Sequence, residues 1–195
     1  MNVLSVAKSE FILGGQRSGK SRRAEMLARA WLDQSDAHSA VLIATAQPWD
    51  DEMRQRIARH QVDRALRVPG METVEEPLAL ADAIAQHSQS HTLVVVDCLT
   101  LWLTNLLMPA EAESLKEKEP PAPVEYARTA SLLIAIQGSA GPVVLVGNEI
   151  GLGVIPMGRA VRAFVDALGR LNQDVASVCQ RVTLMAAGLP LHLKD

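Results

Sequence analysis

Phe11-Ile12-Leu13-Gly14-Gly15-Gln16-Arg17-Ser18-Gly19-Lys20-Ser21 joins a short apolar run to a complete G-x-x-x-x-G-K-[ST] loop. Ala24, Leu27, Ala28, Trp31 and Leu32 then follow at the spacing of one helix face. Strand, glycine loop and helix in that order are the context a phosphate-binding loop requires. Its glycines admit backbone conformations that a side chain would forbid, so successive N–H groups and the helix N-terminus can face phosphates. Lys20 is expected to reach the β- and γ-phosphates, and Ser21 to ligate Mg²⁺.

Outward from this motif, the apolar runs Val41-Leu42-Ile43-Ala44, Leu93-Val94-Val95-Val96, Val143-Val144-Leu145-Val146 and Val182-Thr183-Leu184-Met185 each read as a strand buried on both faces. Segments of helical period lie between them, such as Val161, Phe164, Val165, Leu168, Leu171 and Val175. Alternating strands and helices predict an α/β fold, P-loop NTPase-like, with a mostly parallel central sheet and helices on both faces. One stretch breaks the pattern. Pro109 to Pro123, rich in glutamate, lysine and proline, has little to bury and reads as a flexible insertion at 109–123 within a single domain spanning 1–195.

Composition narrows the function classes. With 195 residues, 48% hydrophobic and 21% charged, the chain has the material for a packed core and is not a disordered protein. A formal charge of −3 supplies no global basic field, which argues against nucleic acid as the partner. Cys98 and Cys179 stand far apart with no Cys-x-x-Cys, so neither a disulfide framework nor a zinc site is expected, and a cytoplasmic location fits. The segment Leu93 to Met108 is interrupted by Asp97, Thr100, Thr104 and Asn105 and falls short of the roughly 20 apolar residues of a membrane span. Met1 to Lys8 lacks the pattern of a secretory signal.

A phosphate loop with a bound cation needs a second carboxylate, expected at the end of a neighbouring apolar strand. Asp97, closing Leu93-Val94-Val95-Val96, supplies it, with helix capping as its ordinary alternative. A helix after the second strand runs from Asp50 to Arg64, and Glu52, Arg56, His60 and Arg64 form one polar stripe along it. Such a stripe serves as a solvated face, or else Arg56 and Arg64 flank His60, keep its imidazole neutral and nucleophilic, and attract phosphate. His38, His87, His91 and His192 sit in polar or terminal settings and read as exposed.

These residues together resemble the bifunctional adenosylcobinamide kinase and adenosylcobinamide-phosphate guanylyltransferase family of cobalamin biosynthesis. The resemblance extends from the P-loop to the C-terminus. It rests on Gly14 to Ser21, Ile43-Ala44-Thr45-Ala46, Asp51-Glu52-Met53, Arg56-Ile57 with His60 and Arg64, Thr73 with Glu75 and Pro77, and Val96-Asp97-Cys98-Leu99-Thr100-Leu101-Trp102-Leu103. It continues through Asn148-Glu149-Ile150-Gly151, Gly169 with Asn172-Gln173, and Ala187-Gly188-Leu189-Pro190 near Lys194. It implies phosphorylation of adenosylcobinamide by ATP or GTP, then transfer of GMP from GTP to the resulting phosphate through a GMP-histidine intermediate, with His60 at the matching position. By the same resemblance, nucleotide contacts fall on Gly14, Gly15, Gln16, Arg17, Ser18, Gly19, Lys20 and Ser21, on Thr45, Ala46 and Gln47, on Gln61, Val62, Asp63 and Arg64, and on Glu75 and Asp97. A homotrimer is implied too.

The chain departs from the family pattern at Met71, where tryptophan is frequent, at Gly147, where serine is usual, and in a longer span between the P-loop and Thr45. A plain P-loop small-molecule kinase without nucleotidyl transfer would leave His60 inert. A GTP-binding switch module would need a partner protein and the base-reading Asn-Lys-x-Asp pattern, which Asn148-Glu149 does not match.

Overall fold

The computed structural model describes residues 4–48, 50–108 and 122–195. In chain order the elements are β1 (Ser9–Gly14), α1 (Lys20–Leu32), β2 (Ser39–Ala44), α2 (Asp51–Arg67), β3 (Glu72–Glu75), α3 (Leu80–His87) and β4 (Thr92–Asp97). They continue with α4 (Leu99–Leu107), α5 (Ala122–Gly138), β5 (Val143–Asn148), α6 (Arg159–Val178), β6 (Arg181–Ala186) and β7 (Leu189–Lys194). The strands form one sheet in the order β3-β2-β4-β5-β1-β6-β7. Every pairing is parallel except the last, an antiparallel hairpin between β6 and β7.

All five apolar runs are strands. β3 and β7 were not expected, for a physical reason. Both are sheet edges, so neither needs the continuous apolar sequence of a strand covered on both sides. All six residues of β7 are exposed, and it tolerates Pro190 because an edge strand can leave one side of its backbone unpaired. The β6-β7 connection is two residues, Ala187 and Gly188, with φ of 52° and 79°. Positive φ at both positions is what a tight hairpin turn needs to match the twist of its strands.

Side-chain alternation splits the core in two. On one face Phe11, Leu13, Val94, Val96, Val143 and Leu145 pack against α3, α4, α5 and α6, with Trp102 only 1% exposed at the centre. On the other Ile12, Leu42, Leu93, Val95, Val144 and Val146 pack against Ala24, Leu27 and Ala28 of α1. Helices thus cover both faces, as expected. The insertion expected at 109–123 lies, save for its last two residues, outside the described residues. Ala122 and Pro123 already belong to α5, where proline is tolerated because a first-turn N–H has no partner within the helix.

One buried ion pair fastens the first helix to the sheet. Glu10 is fully buried in β1, and its Oε1 accepts from Arg23 Nε of α1 at 3.0 Å and from Thr183 Oγ1 of β6 at 2.8 Å. His38, expected to be exposed, is half-buried and stacks on Trp31 with ring centroids 3.8 Å apart.

Candidate functional site

The glycine loop leaves the C-terminal end of β1 and enters α1 at its first residue, Lys20. A Cβ on Gly14 would stand 2.5 Å from both the Met185 carbonyl oxygen and Ser18 Oγ, so no larger residue fits. Gly19, the N-cap of α1, has φ of 101°, and the space beside it is closed by Gly188. The β6-β7 turn clasps the loop: the Gly188 N–H donates to the Ser18 carbonyl at 3.0 Å. Lys20 is 8% exposed, and its Nζ donates to the Gly15 carbonyl at 2.6 Å. The ammonium is therefore folded over the loop, at the positive end of a helix whose first turn holds no acidic residue. Gly15, Gln16 and Arg17 are exposed and Ser21 is half-buried.

Asp97 is half-buried at the end of β4. It does not lie on the strand next to the loop, as the sequence led us to expect, because β5 separates β4 from β1. The strand beside β1 ends instead in Asn148, followed by Glu149, whose N–H donates to the Gly14 carbonyl at 3.1 Å. Glu149 Oε1 accepts from the Gly151 N–H at 2.9 Å, and Oε2 from Asn172 Nδ2 at 3.5 Å. Sequence reasoning did not count Asn148 and Glu149 among the site residues. Their signal was present, since β5 ends as β4 does, with a polar residue at the close of a branched apolar run.

Thr45 is fully buried. Its hydroxyl accepts from the Cys98 N–H at 2.9 Å and donates to the Cys98 carbonyl at 2.7 Å, while its own carbonyl accepts from Asn105 Nδ2 at 2.8 Å. Thr45 thus joins β2 to the β4-α4 junction, and of this segment Ala46 and Gln47, both half-buried, are the residues that reach the surface. Glu75, exposed, ends β3 opposite Ala44 in register. The P-loop, Asp97, the segment after β2 and Glu75 therefore all sit at the C-terminal edge of the parallel strands, the edge where open α/β sheets bind ligands.

α2 is capped by Asp50, whose Oδ1 accepts from the Met53 N–H at 2.7 Å. Acidic residues at its start and basic ones at its end suit the helix dipole. His60, Gln61 and Val62 are exposed, and Asp63 is half-buried beside Arg67 at 3.3 Å. The stripe does not stay solvated along its length. Arg64 is 9% exposed, turns inward, and donates from Nη1 to Thr73 Oγ1 at 3.2 Å, so it does not share the solvent with His60. Its Nε is buried with no hydrogen bond among the described residues. Burial lowers the Arg64 pKa, and the charges of Asp97 and Glu25 push it back up. Arginine remains cationic through such shifts, which makes Arg64 a fixed positive charge near Asp97.

Cys98 is no rival nucleophile. Burial, with the nearby Asp97 charge adding to it, pushes its thiol up to about 11, and burial pushes Cys179 up to about 12. Among the described residues no three His, Cys, Asp or Glu side chains gather as a metal cage, and no helix is long and apolar enough to cross a membrane.

Residues 10–193 match the family described as cobinamide kinase / cobinamide phosphate guanyltransferase. The chain is 45% identical over 187 residues to the bifunctional adenosylcobalamin biosynthesis protein CobP of Pseudomonas aeruginosa, covering 95% of this chain and 96% of that protein. It is 36% identical to the bifunctional adenosylcobalamin biosynthesis protein CobU of Escherichia coli and 35% identical to that of Salmonella typhimurium, with 94% of this chain and 98% of each relative covered.

Proposed function

Since the chain belongs to the cobinamide kinase / cobinamide phosphate guanyltransferase family, we propose that both reactions run at the single nucleotide site on the C-terminal edge of its sheet, with His60 as the GMP carrier. The chain phosphorylates adenosylcobinamide with ATP or GTP and then transfers GMP from GTP to adenosylcobinamide phosphate. One observation carries the site reading: the clasped glycine loop with Lys20 over it, Asp97, Gln47 and Glu75 lie along one edge of one sheet.

In this reading the backbone of Gly14 to Gly19 cradles the phosphates, and Lys20 exchanges its bond to Gly15 for one to the β- and γ-oxygens. In the kinase step the acceptor hydroxyl is itself the nucleophile. The residues therefore act by position and charge, and no covalent intermediate is needed. In the second reaction the neutral imidazole of His60 attacks the α-phosphorus of GTP, and the bond to the bridging oxygen breaks, releasing pyrophosphate. A phosphate oxygen of adenosylcobinamide phosphate then attacks the same phosphorus and the imidazole leaves. One hard transfer becomes two easier ones. Ala46, Gln47, Gln61 to Arg64 and Glu75 serve as the surrounding nucleotide contacts. The buried Thr45 holds this wall in place, and the inward cation of Arg64 offsets charge near Asp97.

The side chains of Ser21 and Asp97 fit Mg²⁺. Both are hard oxygen donors, and two such ligands completed by phosphate oxygens and water suit this ion better than a cage of protein side chains. Bound there, Mg²⁺ would neutralise charge on the transferring and leaving phosphates. A homotrimer in the cytoplasm completes the reading, and sedimentation of the purified chain tests the trimer.

The deciding experiment gives the enzyme and a His60→Ala variant GTP labelled on the α-phosphate, and maps any adduct by mass spectrometry. We expect an acid-labile GMP adduct on His60, absent from the variant, while the variant still phosphorylates cobinamide. An adduct on another residue, or none while GTP binds, would overturn the role of His60.

A further inference from the structure

Resting on the reading that the P-loop holds the nucleoside triphosphate, we propose that Asn148 is a further catalytic residue of the kinase step. Its side-chain amide contacts the γ-phosphoryl group during transfer. Strand alternation sets its direction. Val144 and Val146 of β5 pack with Leu93 and Val95 of β4 against α1. The next residues on that same face are Asn148 and Asp97. Asn148 pairs in register with Gly14, the first residue of the glycine loop, and β5 lies between β1 and β4. Its amide therefore stands between the loop that carries Lys20 and the carboxylate of Asp97.

The backbone of Asn148 is held from both sides. Its N–H donates to Thr100 Oγ1 at 2.8 Å, and its carbonyl accepts from Asn172 Nδ2 at 3.1 Å. Yet the half-buried side chain makes no hydrogen bond among the described residues. Its neighbours at this edge are already engaged: Thr45 by Cys98, and Glu149 by Gly151 and Asn172. The backbone is therefore fixed, and the half-exposed amide stands open to a ligand at this edge.

The chemistry suits a carboxamide. As the acceptor hydroxyl oxygen bonds to the γ-phosphorus, the bond to the β,γ-bridging oxygen breaks. That oxygen keeps the electron pair and leaves on the nucleoside diphosphate, and the hydroxyl proton passes to water. Charge spreads over the equatorial oxygens of the moving group. An amide N–H₂ donates to one of them without titrating. GMP transfer breaks a bond at the α-phosphorus instead, two phosphates away, so Asn148 should bear much less on it.

The test uses the full-length enzyme with Asn148→Ala, Asn148→Asp and Lys20→Ala. Three quantities are read: affinity for a non-hydrolysable triphosphate analogue, kcat and KM for cobinamide phosphorylation, and the rate of GMP adduct formation. Removing one preorganised donor should lower the kinase kcat by about 10²- to 10³-fold with analogue affinity nearly unchanged. The near-isosteric Asn148→Asp, which swaps the donor for a negative charge, should be at least as slow, and adduct formation should fall far less. An unchanged kcat, a rise in KM alone, or equal loss of both activities would overturn the proposal. If Lys20→Ala binds the analogue as tightly as the wild type, the P-loop reading fails and takes this proposal with it.

Discussion

At the scale of single residues, the tightest constraints are Gly14 and the Glu10–Arg23 pair. A methyl group on Gly14 must displace both the Met185 backbone and Ser18 Oγ, each 2.5 Å away. Gly14→Ala should therefore cost about 1–3 kcal/mol of stability and weaken nucleotide binding, both readable by urea unfolding with and without nucleotide. Arg23→Met leaves the fully buried Glu10 carboxylate with Thr183 and the more distant Arg181, at 3.5 Å. Losing one partner of a buried pair typically costs about 3–5 kcal/mol, and a fall of that size in urea unfolding is the expected outcome. The motif glycines and Lys20 were legible in the sequence, because loop chemistry dictates residue type locally. The engagement of Thr45 by Cys98 was not, since it depends on two strand ends meeting across 53 positions of sequence. Gly147 shows the same limit. A Cβ there would touch the Phe11 ring at 2.9 Å and approach Asn172 Oδ1, which has no partner among the described residues, at 3.5 Å, contacts invisible along the chain.

Among the elements, α2 stands apart. Of its described side chains only Arg64 is buried, with Met53, Ile57 and Asp63 half-buried, whereas α1 buries Lys20, Arg23, Ala24, Glu25, Leu27 and Ala28. Its hold on the body comes near its C-terminus, where Arg67 pairs with Glu25 at 2.8 Å and Arg64 bonds Thr73. Local stability follows buried contact, so amide hydrogens around His60 should exchange much faster than those of α1 in hydrogen-exchange mass spectrometry. Equal protection of the two helices would contradict this account. The helix itself was legible from its cap and charge order, and so were the five central strands from their apolar runs. β3 and β7 were hidden because edge strands carry no such run. The place of Asp97 was missed because strand order, unlike strand identity, is a property of the whole sheet.

For the whole molecule, the two thiols set a limit at alkaline pH. Folding raises the Cys98 pKa from 9.0 to about 11 and the Cys179 pKa from 9.0 to about 12. A raised acid pKa means that the folded state keeps protons the unfolded state has lost. The stability contributed is whole below about pH 9 and is lost as pH climbs through the folded values. Melting temperature should fall steadily across that window, and a Cys98→Ala, Cys179→Ala double variant should show a shallower fall. The turn at Ala187-Gly188 carries a different consequence, one of timing during synthesis. The phosphate loop leaves the ribosome well before β5 and β6, yet β1 is completed on its two sides only by these strands, and the loop is clasped by Gly188. While translation is still short of these late strands, the nascent chain carries a full nucleotide-binding motif without the strands and the turn that flank it. Competence to bind should thus arrive in one step once β6 and its turn have emerged, not grow with the chain.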